Sequence, residues 1–421
     1  MGILVLSPRR RISMWVLAVL FPLAAIPCGC DTRAYDNPLD SRNPTTAGEA
    51  PGFNAAAGNE EVTLTWSDLG IRDLAHVQIL RWSATAEAET LGAFSPGVTE
   101  WVDRSVINSE TYQYRAKYVV KHDPTVHLSN TDTASPGPER IWVVDERRAG
   151  LHRIAPDGRD VVWTLEGSGY LRSLAVDEER GRVWIASGYR DEVIGIDASG
   201  TVVAVIPVEA PRKIAVYRQD GSLWVAAEWG VGRYSLSGDL LFEDRTPSNP
   251  KDVAVDQTRG TCWVAEGTGS VWIRHLDGST AQVFGFNYPF SLSLDGSGRA
   301  WLVDAHALRV YRLDVGGAVA GWLGGFAQPV DVAAGPSGAA WVVDWDADAV
   351  VRVSEDLERE LTISGFNRPL AVAVDGSNDR VWVVEAYGGR VVKLTGEGER
   401  LGWSGGLDFP KDIALDSGTL H

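Results

Sequence analysis

Between residues 139 and 421 unbroken apolar runs alternate with short polar breaks, and the runs fall into two recurring series. One series reads "SLAVD" ending at Asp177, "KIAVY" at Tyr217, "DVAVD" at Asp256, "SLSLD" at Asp295, "DVAAG" at Gly335, "AVAVD" at Asp375 and "DIALD" at Asp416. The other carries a tryptophan at positions 142, 184, 224, 263, 301, 341 and 382, at intervals of 42, 40, 39, 38, 40 and 41 residues. Runs this short and this continuously apolar are strands covered on both faces rather than half-exposed ones. Each unit adds a turn such as "DGSGR", a third strand such as "RVVKL" and a fourth near "TLEG" or "AVAGWLGG". Four short strands in about 40 residues is the period of a propeller blade, and the repeated tryptophan is expected to fill the space between blades.

The phase of the repeat predicts how the array ends. The first copy, "ERIWVVD", has a tryptophan strand with no "IAVD" strand before it, while the last, "PKDIALDSGTLH", has that strand and no tryptophan after it. Joined, the two halves make one blade, so Ile413 to Asp416 should pair beside Ile141 to Asp145 and close a seven-bladed ring without free edges.

Upstream the pattern changes. Residues 51–135 hold short alternating strands, "EVTLTW", "HVQILRW", "TEWVD" and "YQYRAKYVV", which predict an immunoglobulin-like β-sandwich. Residues 30–50 are polar, contain Pro38 and Pro44 and lack an apolar period, as a flexible tether does. Residues 1–29 combine a basic start, Arg9 to Arg11, with an uncharged stretch too short to span a membrane, which predicts an export signal. The whole is thus expected to be all-β, with a propeller over residues 137–421.

Three resemblances extend this reading. With Pro211, Pro250, Pro289, Pro329, Pro369 and Pro410 leading the "IAVD" strands, and Leu171 in the remaining copy, the repeat resembles NHL-repeat and YVTN-like β-propellers. The "WD" and "GH" pairs of WD40 repeats do not recur in register. Residues 51–135 resemble a fibronectin type III domain, with Trp66 ending "VTLTW" and Tyr112 of "TYQYRAKY" as its tyrosine-corner residue; that resemblance implies a spacer or adhesive module. "AAIPCGCD" resembles the lipobox of bacterial lipoproteins, although Pro27 and Cys28 depart from it. It implies an exported chain, lipid-anchored in the cell envelope through Cys30, with Cys28 as the alternative acceptor and plain secretion as the alternative fate.

Composition narrows the function. A formal charge of −17 without a basic stripe argues against a nucleic-acid partner. Only Cys262 lies beyond residue 30, so no internal disulfide is expected and a buried thiol is the simplest reading. No histidine pair stands at metal-ligand spacing, and "GSGY", "GTGS" and "GSGR" lack the strand-to-helix context of phosphate loops, so neither catalytic residue, metal nor cofactor is assigned. The acids three residues after the tryptophans, Asp145, Glu266, Asp304, Asp344 and Glu385, are expected to bind loop amides rather than a ring of cations.

Binding remains. The loops before each "IAVD" strand and after each tryptophan strand should share one rim, where residue identity varies from blade to blade. The candidates are Arg172, Arg212, Lys213, Lys251, Asp331 and Lys411 from the first set and Tyr189, Trp229, His306, Trp345 and Tyr387 from the second. Bases interleaved with exposed aromatics suit a protein, peptide or carbohydrate ligand; an ordinary solvated rim is the alternative. A second functional class is the metal-dependent hydrolase or lyase of the gluconolactonase-like propeller type, with its site in the central channel.

Overall fold

The computed structural model describes Leu39, Asn43 and Ala50 to Asp416, except residues 51, 59, 71, 72, 85, 109, 138, 139, 166–169, 198, 377 and 378. The expected signal segment, both candidate lipid acceptors and nearly all of the tether lie outside the described residues. Among the described residues the repeat region forms seven four-stranded antiparallel sheets. Blade 1 contains Arg140–Asp145, Gly150–Ile154 and Val161–Leu165. Blades 2 to 7 open with the first strands Leu171–Asp177, Pro211–Tyr217, Pro250–Val255, Pro289–Leu294, Pro329–Ala334 and Pro369–Val374. The strand Pro410–Asp416 joins the blade 1 sheet beside Arg140–Asp145 and is its first strand. Each first strand lies against the first strands of the blades before and after it, and Pro410–Asp416 touches both Pro369–Val374 and Leu171–Asp177, so the circle is complete. The protein is a β-propeller.

The closing register places Ile413 opposite Val143, Ala414 opposite Trp142 and Leu415 opposite Ile141. The same small-against-tryptophan pair occurs in every other blade, as Ala175 with Trp184, Ala215 with Trp224, Ala254 with Trp263, Ser293 with Trp301, Ala333 with Trp341 and Ala373 with Trp382. A small residue opposite leaves room for the indole to lie on the sheet and reach the next blade. All seven indoles are 3% exposed or less. Trp142 packs with Leu174 and Ile185 of blade 2, Trp184 with Ile214 and Val225 of blade 3, and Trp382 with Ile141 and Val143 of blade 1. Burial of this kind stabilises by about 2–3 kcal/mol per side chain.

One irregularity recurs in all seven first strands. Pairing with the second strand shifts between the strand's first and third residues, Leu171/Ser173, Pro211/Lys213, Pro250/Asp252, Pro289/Ser291, Pro329/Asp331, Pro369/Ala371 and Pro410/Asp412. The residue between is therefore a bulge with no partner across the ladder. A bulge breaks strict alternation, so two consecutive side chains can face the same space.

The upstream residues form a two-sheet sandwich. Asn54–Ala57, Val62–Thr65 and Glu100–Asp103 make one sheet; Leu74–Ser83, Glu89–Phe94, Tyr112–Val120, His127–Leu128 and Asp132–Ala134 make the other. Trp66, Ile79, Tyr114 and Tyr118 are in their shared core. Tyr112 Oη accepts from the Ile107 amide at 3.0 Å. Inside, Asp103 accepts from Arg81 Nη1 at 2.7 Å, Tyr114 Oη at 3.1 Å and Ser105 N at 2.9 Å. These bonds outweigh the opposing effect of burial and hold the Asp103 carboxyl below the usual range.

Candidate functional site: the channel mouth

The bulge residues and the residues that follow them enclose a cavity of about 240 Å³ where the channel opens. The seven bulge residues, taken round the ring, are Lys411, Arg172, Arg212, Lys251, Phe290, Val330 and Leu370, and every one lines the cavity. Order matters here, because neighbours in the list are neighbours in space. Four bases from blades 1 to 4 form one arc, and three apolar side chains from blades 5 to 7 form the other. The mouth is cationic on one side and apolar on the opposite side.

A repeated bond fixes the loops around it. In each blade the residue following the second strand donates its amide to the carbonyl just before the first strand: Glu146 to Phe409, Gly188 to Tyr170, Glu228 to Ala210, Gly267 to Asn249, Ala305 to Tyr288, Trp345 to Gln328 and Ala386 to Arg368, at 2.9 to 3.1 Å. The clasp sets one loop residue beside each bulge residue, and its identity decides whether a base is neutralised. Blades 1 and 3 supply an acid: Lys411 bonds Glu146 at 2.8 Å and Arg212 bonds Glu228 at 3.2 Å. Blades 2 and 4 supply glycine. A Cβ on Gly188 would lie 2.4 Å from Arg172 Nε, and one on Gly267 would lie 2.8 Å from Lys251 Cε. The glycines thus give two bases room and no counter-charge. Arg172 reaches instead to Glu228, at 3.5 Å, while Lys251 Nζ lies 5.3 Å from the Tyr288 ring centroid. Both Arg172 and Arg212 retain a buried Nε–H without a hydrogen-bond partner.

Below the mouth the third residues of the first strands make a belt: Ser173, Lys213, Asp252, Ser291, Asp331, Ala371 and Asp412. Its three carboxylates each tie their own blade to the next one. Asp252 accepts from Leu292 N at 2.9 Å, Asp331 from Val372 N at 2.9 Å, and Asp412 from Leu174 N at 3.1 Å. Asp331 also accepts from Ser291 Oγ at 2.7 Å, and Lys213 Nζ bonds Asp412 at 3.0 Å across blade 2. Burial opposes the Lys213 charge, but Asp412, Asp252 and Asp331 overcome it and hold the ammonium protonated. Burial pushes Asp331 up to about 6, against the pull of Lys213 and its hydrogen bonds. It also raises Asp252.

The structure brings Arg172, Arg212, Lys213, Lys251, Asp331 and Lys411 into this one cavity and leaves the loop aromatics outside its lining. Tyr189 and Tyr387 are 80% and 60% exposed, and His306 is exposed and stacks on Tyr288 at 4.2 Å. The expectation of exposed indoles at 229 and 345 is corrected: both rings are half-buried. Trp229 packs on the core beneath blades 2 and 3 and lies 5.2 Å from Arg245, while Trp345 packs on the core of blades 6 and 7 and meets Tyr387 edge-on at 5.7 Å. Sequence reading did not include Val330, Ser291 and Ala371 among the lining residues, and it did not separate the two arcs.

Four of the five acids after the tryptophans bind loop amides as expected, and Glu385 binds a side chain instead. Asp304 accepts from Asn287 N and Tyr288 N at 2.6 and 2.8 Å, and Asp344 from Ala327 N and Gln328 N at 2.9 and 2.7 Å. Asp145 makes the same two bonds to Asp408 N and Phe409 N, at 2.6 and 3.1 Å, though those residues are 263 and 264 positions away. Glu266 binds Ser248 N and Trp272 Nε1, and Glu385 pairs with Arg390. No group of three or more metal-ligating side chains converges among the described residues. Cys262 is fully buried, which pushes its thiol up.

No protein-family model and no curated protein sequence matches the chain. Solved structures do. A functionally unknown protein from Desulfotomaculum acetoxidans DSM 771 is similar with a TM-score of 0.59 and 12% identity, over 66% of this chain and 98% of that one. Virginiamycin B lyase from Staphylococcus aureus has a TM-score of 0.49 and 18% identity over 55% of this chain and 82% of the lyase; a chain of a nidogen/laminin complex has 0.43 and 17% over 54% and 94%. At these identities the likeness is at most one of fold, and the β-propeller rests on the ring of sheets itself.

Proposed function

We propose that this chain is a non-catalytic binding protein of the bacterial cell envelope, held to the membrane by lipid on Cys30, with a fibronectin type III-like spacer carrying a propeller that binds its ligand at the channel mouth. One observation carries the binding reading: seven blades that share a buried tryptophan and an apolar second strand differ at the bulge position, from arginine and lysine to phenylalanine, valine and leucine, and those seven side chains share one cavity. The Tyr112 to Ile107 bond supports the fibronectin resemblance, since a tyrosine hydroxyl bonded to backbone a few residues upstream is the corner such sandwiches use. Against turnover stands the belt. A channel hydrolase or lyase would draw on Asp252, Asp331 and Asp412, whose oxygens already serve backbone amides, Ser291 and Lys213.

Lysine footprinting tests the site. Acetylation of Lys251 and Lys411 in the purified mature protein should fall when native envelope extract is present, while the exposed Lys121 of the sandwich stays equally reactive; equal labelling at all three with and without extract rejects the mouth as the binding site. Mass spectrometry of the membrane fraction should find an acylated N-terminal Cys30. Calorimetric titration with Ca²⁺ or Zn²⁺ that yields stoichiometric binding abolished by Asp252→Asn would favour the enzyme instead.

A further inference from the structure

The two arcs of the mouth specify more than a site; they specify what fits it. Resting on the mouth-binding reading above, we infer that the ligand is a small organic monoanion in which one carboxylate is joined to a compact apolar body. The carboxylate lies with Arg172 and Arg212, and the body lies against Phe290, Val330 and Leu370.

Charge placement argues for an anion. The site as a whole is balanced, but the lining carboxylates sit in the belt with Lys213, whereas the four bases of the rim meet only two acids, Glu146 and Glu228, because Gly188 and Gly267 stand where the other two would be. A built-in carboxylate already demonstrates the geometry: Glu228 Oε1 is approached by Arg172 at 3.5 Å and by Arg212 at 3.2 Å. Its side chain is half exposed and its contact with Arg172 is the longer of the two, so it can yield to a competitor. Guanidinium forks match carboxylates well.

A single charge is argued by the belt. Directly beneath the mouth, Asp252, Asp331 and Asp412 face one cation, Lys213, so a second negative charge or a deeper anion meets repulsion. The apolar arc then has a use that a phosphate or a hydrophilic sugar acid could not exploit, since burying Phe290, Val330 and Leu370 under apolar atoms is what contributes affinity there. Size sets the body. The cavity, about 240 Å³, holds one ring or a branched chain between the two arcs.

The test is isothermal titration of the mature full-length protein with phenylacetate, 3-phenylpropionate and isovalerate, set against phenylacetamide, acetate and inorganic phosphate. The phenylalkanoates should bind with Kd of about 0.1–1 mM, and the amide, acetate and phosphate roughly tenfold or more weakly. Arg172→Gln with Arg212→Gln should weaken 3-phenylpropionate roughly tenfold, as should Leu370→Asn, while Arg190→Gln, on blade 2 outside the cavity, leaves it unchanged. Retained far-UV circular dichroism and melting temperature keep a folding defect apart from lost affinity. Equal binding of amide and acid, tighter binding of phosphate, or indifference to the arginine pair overturns the inference. So does a peptide ending in phenylalanine that binds where 3-phenylpropionate does not, since the ligand is then a chain terminus. If no carboxylate binds but envelope extract still protects Lys251 and Lys411, the ligand class is wrong and the mouth stands; if neither occurs, both fall.

Discussion

Tryptophan and alanine face each other in six of the seven blades, and serine replaces the alanine in the seventh. That pairing makes the indoles core residues despite their number. Trp382→Ala should lower unfolding free energy by about 3–5 kcal/mol, because the vacated space lies between two sheets that cannot collapse onto it. Tyr189→Ala, at 80% exposure, should stay within about 0.5 kcal/mol; urea unfolding of both variants checks the contrast. Asp331 supplies a pH signature. Its folded value of about 6 stands above the ordinary 3.8, so the native state holds that proton more tightly than the unfolded chain. The associated stability is present below about pH 4 and is lost as pH rises through about 6. Relative to Asp331→Asn, the wild type should therefore lose stability across that window and run parallel to the variant on either side; a gap that widens in the opposite direction rejects the assignment.

At the scale of strands and loops, Asp145 is the informative residue. Asp304 and Asp344 each fasten a loop to a strand of their own hairpin, whereas Asp145 makes the same bonds between segments far apart in sequence. Asp145→Ala should cost about 2–3 kcal/mol through stranded amides and should raise hydrogen exchange selectively at Ile413 to Asp416, whereas Asp344→Ala should loosen only its own blade. Much at this scale was legible from sequence: apolar runs and their spacing gave the strands, and the split first and last copies gave the closure, because burial on both faces leaves few residue choices. The bulge was not legible. It is a shift in backbone pairing at a position whose side chains range from arginine to leucine, so the residue itself does not announce it. The arcs could have been found by reading the residue after each leading proline or leucine, which gives Arg172, Arg212, Lys251, Phe290, Val330, Leu370 and Lys411 in order. Loop position alone misjudged Trp229 and Trp345, since exposure depends on how a loop folds back on the sheet below it.

For the molecule as a whole, closure distributes stability around the circle. Deleting residues 410–416 removes the first strand of blade 1, its ladder to Arg140–Asp145, and the Leu174 and Lys213 bonds to Asp412. The deletion should abolish a cooperative thermal transition of the propeller, while the sandwich, with its own core around Trp66 and Tyr114, should still unfold as a unit; differential scanning calorimetry resolves the two. The split blade also orders events in time. Residues 410–416 leave the ribosome after every other strand of the ring, and they carry Lys411 and Asp412 of the mouth. A ring that lacks them has six whole blades and an unfinished mouth, so the cavity is assembled in the same single step that shuts the circle.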